Sequence, residues 1–192
     1  MAKGLSAESI TVAAAELIEQ YGRSGFSMRL LADTMGVKTA SLYNHIENMD
    51  TLLTEVCRYA LRMQEDGELR AIAGKTGREA VWALAWAYRR FAQQHRELYW
   101  LVMDTAAGEP RVLDDAAARF TEPLKQVLSG VRLPPREEIH FRRMFRAIVH
   151  GFASQEDEGF FSHYPASTEL SFEFAIQRFI DCVLEAEKRN PS

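Results

Sequence analysis

Apolar residues recur at intervals of three and four along most of the chain, a spacing that places them on one face of an α-helix. No stretch keeps the strict alternation of apolar and polar residues that a half-buried strand shows. The pattern therefore predicts an all-α fold of about nine helices. We place these helices at residues 6–21, 27–35, 39–45, 48–64, 78–94, 96–104, 110–128, 137–155 and 169–187.

The second and third of these helices lie in the stretch 27–47 and are separated by a tight turn. Gly36 lies where the chain leaves the first of them, and glycine adopts a left-handed backbone conformation without a steric penalty. Ala32 is small enough to let the next helix cross close by, while Val37 and Leu42 would fill the angle between the two helices. This spacing is typical of a helix-turn-helix, whose second helix enters the major groove of DNA.

Polar and glycine residues predict where several helices begin and end. Ser6, Ser27 and Asn48 are suited to cap the helices that follow them, and Gly22 ends the first helix. Lys38 precedes the third helix and is a poor cap, so Thr39 is the candidate cap there. Pro123 is expected to kink or split its helix. Residues 65–77 contain three glycines and interrupt the helical pattern, which predicts a linker.

The charge balance weakens the case for DNA binding without removing it. The net charge is −4, and residues 1–47 hold four basic and five acidic side chains, whereas a nucleic-acid-binding protein is expected to show a basic face. Glu8, Glu16 and Glu19 lie on the first helix, however, while Arg29 and Lys38 flank the predicted DNA-facing surface. The local distribution of charge therefore still permits DNA binding.

Composition excludes several classes of protein. The N-terminus has no apolar run of a secretory signal, and no segment approaches the roughly 18 apolar residues that a membrane helix needs. We therefore expect a cytoplasmic protein with no membrane partner. Cys57 and Cys182 both lie in apolar helical patterns, which predicts two buried thiols rather than a structural disulfide. The alternative is a redox switch between the two.

The sequence contains little that suggests catalysis. It has no glycine loop for phosphate, no HExxH or CxxC motif, and no nucleophile elbow of the G-x-S-x-G type. Its five histidines never recur at the helical spacing of metal ligands. We therefore predict no metal site and no cofactor, and we do not expect an enzyme.

Residues 5–56 resemble the N-terminal DNA-binding domain of the tetracycline-repressor (TetR/AcrR) family. The resemblance is carried by Tyr21-Gly22, Phe26-Ser27-Met28-Arg29, Leu31-Ala32, Gly36-Val37, Leu42-Tyr43-Asn44-His45 and Leu52-Leu53. A weaker match lies further on, where residues 146–151 are similar to the W-x-x-x-H-G signature of one subgroup. Arg146 stands in the place of the tryptophan of that signature, while His150 and Gly151 match it.

The resemblance implies a role for each residue on the DNA-facing surface. Tyr43 and His45 are expected to contact phosphate oxygens, which positions the protein on the duplex without reading its sequence. The residues expected to face the base edges, together with two flanking basic residues, are Thr39, Ala40, Ser41, Asn44, Arg29 and Lys38. Met49 replaces the usual phosphate-binding lysine, which predicts fewer phosphate contacts and a shallower salt dependence.

The helices predicted at 137–155 and 169–187 carry more apolar surface than a helix with one solvent face requires. We expect them to pair with their two-fold copies as a four-helix bundle, which would make the protein a homodimer. The residues predicted for this interface are Phe152, Phe172, Ile176, Phe179 and Val183.

The resemblance also implies a domain that binds a small effector, and spaces between bundled helices are favoured sites for such ligands. The residues predicted to line the pocket are Met63, Trp82, Trp86, Tyr99, Trp100, Met103, Phe120, Phe145 and His150. Arg89, Arg146 or His150 would supply a polar contact. The alternative is that the same aromatic residues form a packed core without a cavity.

These expectations give a DNA-binding domain over residues 1–50, a linking helix at 48–66, and a ligand-binding and dimerisation domain over 51–192. The predicted function is a ligand-responsive transcriptional regulator, most often a repressor in proteins of this kind. It would bind a palindromic operator in double-stranded DNA and be released by a small, mainly apolar effector. The alternatives are a DNA-binding protein of the same fold without an effector and, third, a small all-α enzyme.

Overall fold

The structure is a computed structural model that describes residues 5–108 and 114–189, with side chains described for these residues except 107–120. Nine α-helices, one short 3-10 helix and no strand occur in this part of the chain, which confirms the all-α prediction. The α-helices are α1 (Ala7–Gly25), α2 (Met28–Met35), α3 (Thr39–Leu42), α4 (Met49–Ile72), α5 (Gly77–Gln94), α6 (Arg96–Gly108), α7 (Asp114–Ser129), α8 (Pro135–Asp157) and α9 (Thr168–Arg189). The 3-10 helix is Phe160–His163.

Side-chain caps begin α1, α2 and α4 as predicted. Their oxygens accept hydrogen bonds from backbone N–H groups three residues later, at 3.1, 3.2 and 2.8 Å: Ser6 from Ser9, Ser27 from Leu30, and Asn48 from Thr51. Each bond satisfies one of the N–H groups that a helix start leaves without a partner. The Thr39 cap was wrong, because Thr39 is the first residue of α3 and Lys38 before it makes no side-chain cap.

Several helix boundaries differ from the prediction. Helix α3, which is predicted to face DNA, ends at Leu42 rather than at residue 45. Pro123 lies inside α7 without splitting it. The largest difference is in α4, which continues to Ile72, so residues 65–72 are not a linker. Glu68 and Ile72 are buried there, and their packing outweighs the weak helix propensity of Gly67.

The chain forms two compact units. The first unit comprises the described residues of Met1–Met63 and His95–Phe120, and the second comprises those of Gln64–Gln94 and Thr121–Ser192. In the first unit α1 packs against α2 and α6, and α2 against α3. The two units share α4, whose residues up to Met63 belong to the first. These units do not coincide with the predicted DNA-binding domain (residues 1–50) and ligand-binding domain (residues 51–192), and that functional boundary stays a prediction.

The second unit has an aromatic core formed by α5, α8 and α9. The rings of Trp86 and Phe172 meet edge-on with centroids 5.3 Å apart, and those of Phe145 and Phe179 with centroids 5.4 Å apart. Arg89, itself buried, lies over the rings of both Trp86 and Phe172. Its guanidinium Nε donates to Glu156 Oε2 at 2.8 Å, so the charge buried in this core is paired.

This burial corrects the choice of interface residues. Phe172, Ile176, Phe179 and Val183 are all buried within a single chain, so their side chains have no surface left for a second copy. Phe152 is only half-buried, and its ring packs on those of Phe161 and Phe172. The apolar stripe on α9 is therefore largely a core stripe of the protomer.

The two cysteines have different environments. Cys57 on α4 is buried as predicted, whereas Cys182 on α9 is exposed, so the prediction of two buried thiols was wrong for Cys182. Burial raises the pKa of the Cys57 thiol, whose Sγ donates to Thr105 Oγ1 at 3.3 Å. Over the described ranges, no helix is long and apolar enough to cross a membrane.

Candidate nucleic-acid interface

The turn between α2 and α3 has the predicted geometry. Gly36 is left-handed with φ 67° and ψ 29°, and its N–H donates to the carbonyl of Asp33 at 3.2 Å. The next N–H, that of Val37, donates to the carbonyl of Ala32 at 3.0 Å. These two bonds satisfy carbonyl groups at the end of α2 and turn the chain sharply into α3. Ala32 and Leu42 are both buried, as a close crossing of the two helices requires.

The segment Tyr43-Asn44-His45 follows α3 as a turn and is held at both ends. Leu42 before it is 0% exposed and Ile46 after it is 7% exposed, so both side chains face the core. The N–H groups of His45 and Ile46 both donate to the carbonyl of Leu42, at 2.9 and 3.1 Å. Because both ends face inward, Tyr43, Asn44 and His45 face solvent.

The other residues predicted to face DNA are also accessible. Arg29, Lys38 and Ala40 are exposed, while Thr39 and Ser41 are half-buried. Arg29 Nε lies 3.8 Å from Asp33, in a pair whose side chains are 89% and 71% exposed. Exposed ion pairs of this kind contribute little to the stability of the folded protein. The Arg29 guanidinium can therefore exchange Asp33 for a phosphate or a base. The assignment of individual contacts stays a prediction.

A contact that the sequence did not predict joins α6 to this unit. The side-chain Oε1 of Glu19 on α1 accepts a hydrogen bond from the backbone N–H of Leu98 on α6 at 3.2 Å, and His95 Nδ1 lies 3.8 Å from the same oxygen. Burial raises the pKa of Glu19, against the lowering effect of the Leu98 hydrogen bond and of His95. This carboxylate therefore fixes the start of α6 against the first helix of the predicted DNA-binding domain.

The residues predicted to line the ligand pocket are divided between the two compact units. Tyr99, Trp100, Met103 and Met63 belong to the first unit, and Trp82, Trp86, Phe145 and His150 to the second. The side chain of Phe120 lies outside the described residues. Phe145 and Tyr99 are fully packed, at 3% and 2% exposed. These two rings behave as core residues, as the alternative to a pocket predicts.

Each unit has a cleft among its described side chains. A cleft of about 300 Å³ in the first unit is lined by Arg23, Glu97, Trp100, Leu101, Asp104 and Thr105. A cleft of about 240 Å³ in the second unit is lined by Phe152, Phe161, Tyr164, Ala166, Thr168 and Ser171. Of the residues predicted for the ligand pocket, only Trp100 lines either cleft.

Two residues on α4 are polar and buried, which was not predicted from the sequence. Gln64 is 2% exposed and Glu68 is 4% exposed, and Gln64 Nε2 donates to Glu68 Oε1 at 2.8 Å. The spacing of four from Gln64 through Glu68 to Ile72 continues the buried face of α4 and could have revealed them. Gln64 is the last residue of the helix predicted at 48–64, and Glu68 was assigned to the linker because polar residues beside Gly67 are typical of one.

Comparison with known proteins agrees with this architecture. A family model described as "Bacterial regulatory proteins, tetR family" matches residues 10–56, and one described as "Tetracyclin repressor-like, C-terminal domain" matches residues 81–179. The HTH-type transcriptional regulator YobS of Bacillus subtilis (strain 168), itself uncharacterized, is 27% identical over 186 residues, which cover 94% of each chain.

Two solved structures show the same fold. A protein of unknown function from Rhodococcus sp. RHA1 has a TM-score of 0.79 at 22% identity, over 93% of this chain and 95% of that one. TetR-Q116A from Acinetobacter baumannii AYE, solved in complex with minocycline, has a TM-score of 0.68 at 19% identity, over 98% and 99% of the two chains. Since the two family models match both the helix-turn-helix region and the larger C-terminal region, the chain belongs to the TetR family of transcriptional regulators.

Proposed function

We propose that this regulator is a repressor that binds a palindromic operator in double-stranded DNA as a homodimer and releases it when a small effector binds. The observation that carries the proposal is the exposed Tyr43-Asn44-His45 segment, which is held between buried Leu42 and Ile46 directly after a helix-turn-helix. A short rigid segment of this kind can enter a major groove without first becoming ordered, so little binding energy is lost to ordering.

The chemistry of the exposed residues supports a division of roles. The Tyr43 hydroxyl and the His45 imidazole suit phosphate oxygens, which fix register. The Asn44 amide can pair with adenine through two hydrogen bonds, and the Ala40 methyl can pack on the methyl of thymine. Ser41, Thr39, Arg29 and Lys38 complete the proposed surface.

Dimerisation is supported by apolar side chains that the protomer leaves exposed. Leu170 and Phe174 on α9 are 64% and 66% exposed, and Ile139 on α8 is 50% exposed. Leu170 and Phe174 are four residues apart and so share a face of α9. We propose that these residues, in place of the buried ones, pair α8 and α9 with a second copy. A two-fold dimer would then read half-sites whose centres lie roughly 34–36 Å apart, or a multiple of that distance.

Two observations support control of DNA binding by a small ligand. One concerns a protein of the same fold, and the other concerns helix α4 of this chain. The A. baumannii TetR-Q116A structure contains minocycline, so the fold holds a small molecule in that protein. In this chain α4 carries residues of both compact units. A ligand weakens DNA binding only if it favours a different conformation, and a tenfold effect requires a preference of about 1.4 kcal/mol.

The test begins with selection of bound sequences from a random pool of duplex DNA by the purified protein. We expect an inverted repeat to be enriched and to bind one dimer, which analytical ultracentrifugation of the complex would measure. Binding to all sequences alike, with no enriched motif, would contradict the proposal. A thermal-shift screen of small hydrophobic compounds, followed by operator titration with each hit, then separates this proposal from a regulator of the same fold without an effector.

A further inference from the structure

The cleft of about 300 Å³ in the first unit runs along one side of α6. Residues spaced by three and four share a side of a helix, and this side of α6 supplies Glu97, Trp100, Leu101, Asp104 and Thr105. Arg23 of α1, which follows the break of that helix at Gly22, completes the lining. Small-molecule sites usually enclose roughly 300–1,000 Å³, so this cleft has room for a small ligand.

The less polar part of the cleft is held in place by packing. Leu101 is 6% exposed, and Cys57 Sγ on α4 donates to Thr105 Oγ1 at 3.3 Å. Trp100 is half-buried, and its ring meets the ring of Tyr99 edge-on with centroids 5.6 Å apart. These side chains are ordered before a ligand arrives, so binding against them loses little free energy to ordering.

Two exposed side chains of opposite charge also line the cleft. No ion pair or hydrogen bond joins the side chain of Arg23 or of Asp104 to another residue among those described, and the two do not pair with each other. Glu97 differs from them, because its Oε1 accepts a hydrogen bond from Arg96 Nη1 at 2.6 Å. The cleft therefore offers one guanidinium and one carboxylate to a ligand.

We infer that this cleft binds a small zwitterion, namely an α-amino acid with an apolar or aromatic side chain. The ligand carboxylate pairs with the Arg23 guanidinium, which suits it through two parallel hydrogen bonds. The ligand ammonium group, which has only donors, pairs with the Asp104 carboxylate. The ligand side chain lies against Trp100 and Leu101. This inference goes beyond the proposed function and concerns binding alone, so it holds whether or not DNA binding responds.

The charges of the cleft favour a zwitterion over a ligand with a single charge. A carboxylate without an ammonium group would gain Arg23 but would lie near the negative charge of Asp104. An amine without a carboxylate would gain Asp104 but would lie near the positive charge of Arg23. Because exposed ion pairs are individually weak, tight binding needs both pairs and the apolar contact at once.

The experiment uses three probes that share a phenyl ring and differ in charge. L-phenylalanine carries both charged groups, 2-phenylethylamine lacks the carboxylate, and 3-phenylpropanoate lacks the ammonium group. Isothermal titration calorimetry at pH 7 measures the three affinities. We expect L-phenylalanine to bind at least about fivefold more tightly than either analogue, a difference of about 1 kcal/mol. D-phenylalanine should also bind more weakly, because it cannot place all three groups in the same positions.

Two variants remove the charges of the cleft one at a time. Arg23→Gln should lower the affinity for L-phenylalanine to that for 2-phenylethylamine, whereas Asp104→Asn should lower it to that for 3-phenylpropanoate. The matched controls are Arg62→Gln and Asp66→Asn, which change exposed residues of α4 that line neither cleft and should keep the preference of the wild type. All four side chains are exposed, so the variants should fold, and circular dichroism checks this.

Several results would overturn the inference. They are equal binding of the three probes, tightest binding of either singly charged analogue, and no binding of L-phenylalanine. A preference for L-phenylalanine that survives both Arg23→Gln and Asp104→Asn would overturn it as well, because the site would then lie elsewhere on the protein.

Discussion

Glu19 on α1 accepts a hydrogen bond at 3.2 Å from the backbone N–H of Leu98, which lies 79 residues later in the chain, in the first turn of α6. That N–H belongs to the group that a helix start leaves without an internal partner. Leu98 is itself 1% exposed, so water cannot replace the carboxylate easily. One side chain of α1 therefore supplies the cap of α6.

Replacement of Glu19 by Ala should lower the free energy of unfolding by about 1–2 kcal/mol, because it leaves a buried N–H without a partner. Glu16→Ala is the control, since Glu16 is exposed on the same helix and should change stability by less than about 0.5 kcal/mol. Urea denaturation followed by circular dichroism measures both. Equal effects of the two substitutions would show that the hydrogen bond contributes nothing.

The stability of the protein should fall as pH rises from 5 to 8. Burial raises the pKa of Glu68 from 4.5 to about 8 in the folded protein, so the folded state binds this proton more tightly than the unfolded state does. The resulting stabilisation is complete below pH 4.5 and is lost as pH rises through 8. It is on the order of a few kcal/mol, since one pKa unit corresponds to about 1.4 kcal/mol.

Urea denaturation at each pH, on the wild type and on Glu68→Gln, isolates this contribution. Glu19, whose pKa is also raised, acts in the same direction, and His150, whose pKa is lowered by burial, acts in the opposite direction below pH 6.5. The difference between the two proteins removes both effects. A difference that does not change with pH would show that Glu68 titrates normally.

Replacement by alanine should change the stability of the protein in opposite directions at two glycines. Gly36 and Gly67 both have open space where a side chain would begin, but Gly36 has φ +67°, whereas Gly67 lies inside α4. Gly36→Ala should destabilise the protein by about 1 kcal/mol because alanine is strained in a left-handed conformation. Gly67→Ala should stabilise it by about 0.5–1 kcal/mol through higher helix propensity. Thermal denaturation compares the two variants, and a shift of the same sign in both would contradict the argument.

The prediction from sequence succeeded where one local signal determines the structure. A serine before an apolar run predicted the Ser27 cap, and the glycine at position 36 predicted the end of α2, because both depend on a few neighbouring residues. Phe179 and Cys182 show that the apolar pattern alone does not predict which residues of α9 are buried. Both lie in the apolar pattern of α9, yet one is 1% exposed and the other is exposed, a difference that depends on which face α5 and α8 cover.

The burial of Glu68 was not predicted from the sequence for a related reason. Sequence reasoning treats a glutamate beside a glycine as solvated, since burial of a carboxyl group is unfavourable unless the tertiary structure compensates for it. The same reasoning separated the residues at 95–108 from the predicted DNA-binding domain. Contacts between residues that are distant in the chain, such as that of Glu19 with Leu98, join them to it.

Substitutions of the residues proposed to face DNA should fall into two groups by their effect on DNA binding. Tyr43→Phe and His45→Ala should weaken binding to all duplexes alike, because phosphate contacts carry no sequence information. Asn44→Ala and Ser41→Ala should change which sequences bind, with about 1–3 kcal/mol lost on the preferred base pair. Fluorescence anisotropy on the selected operator and on a scrambled duplex measures this. Equal losses on both duplexes for all four variants would show that the roles are wrongly assigned.

The proposed dimer surface has a matched test on α9. Phe174→Glu places a charge on an exposed ring position and should give a folded monomer, because the side chain contributes little to the protomer core. Phe179→Glu puts a charge into that core and should unfold the protein, at a cost of more than about 3 kcal/mol. Sedimentation velocity and circular dichroism distinguish the outcomes. A Phe174→Glu variant that still sediments as a dimer would place the interface elsewhere.

The contrast between the two thiols makes the opening of the first unit measurable without any engineered label. A maleimide reacts with the thiolate, so exposed Cys182 should be alkylated within the mixing time, whereas buried Cys57, with its raised pKa and its contact to Thr105, should be protected. Mass spectrometry would then show one adduct at first and a second that grows only as α4 and α6 separate around Cys57. The rate of that second adduct reports how often the unit opens, and its response to operator DNA would show whether the bound state is the more tightly closed one.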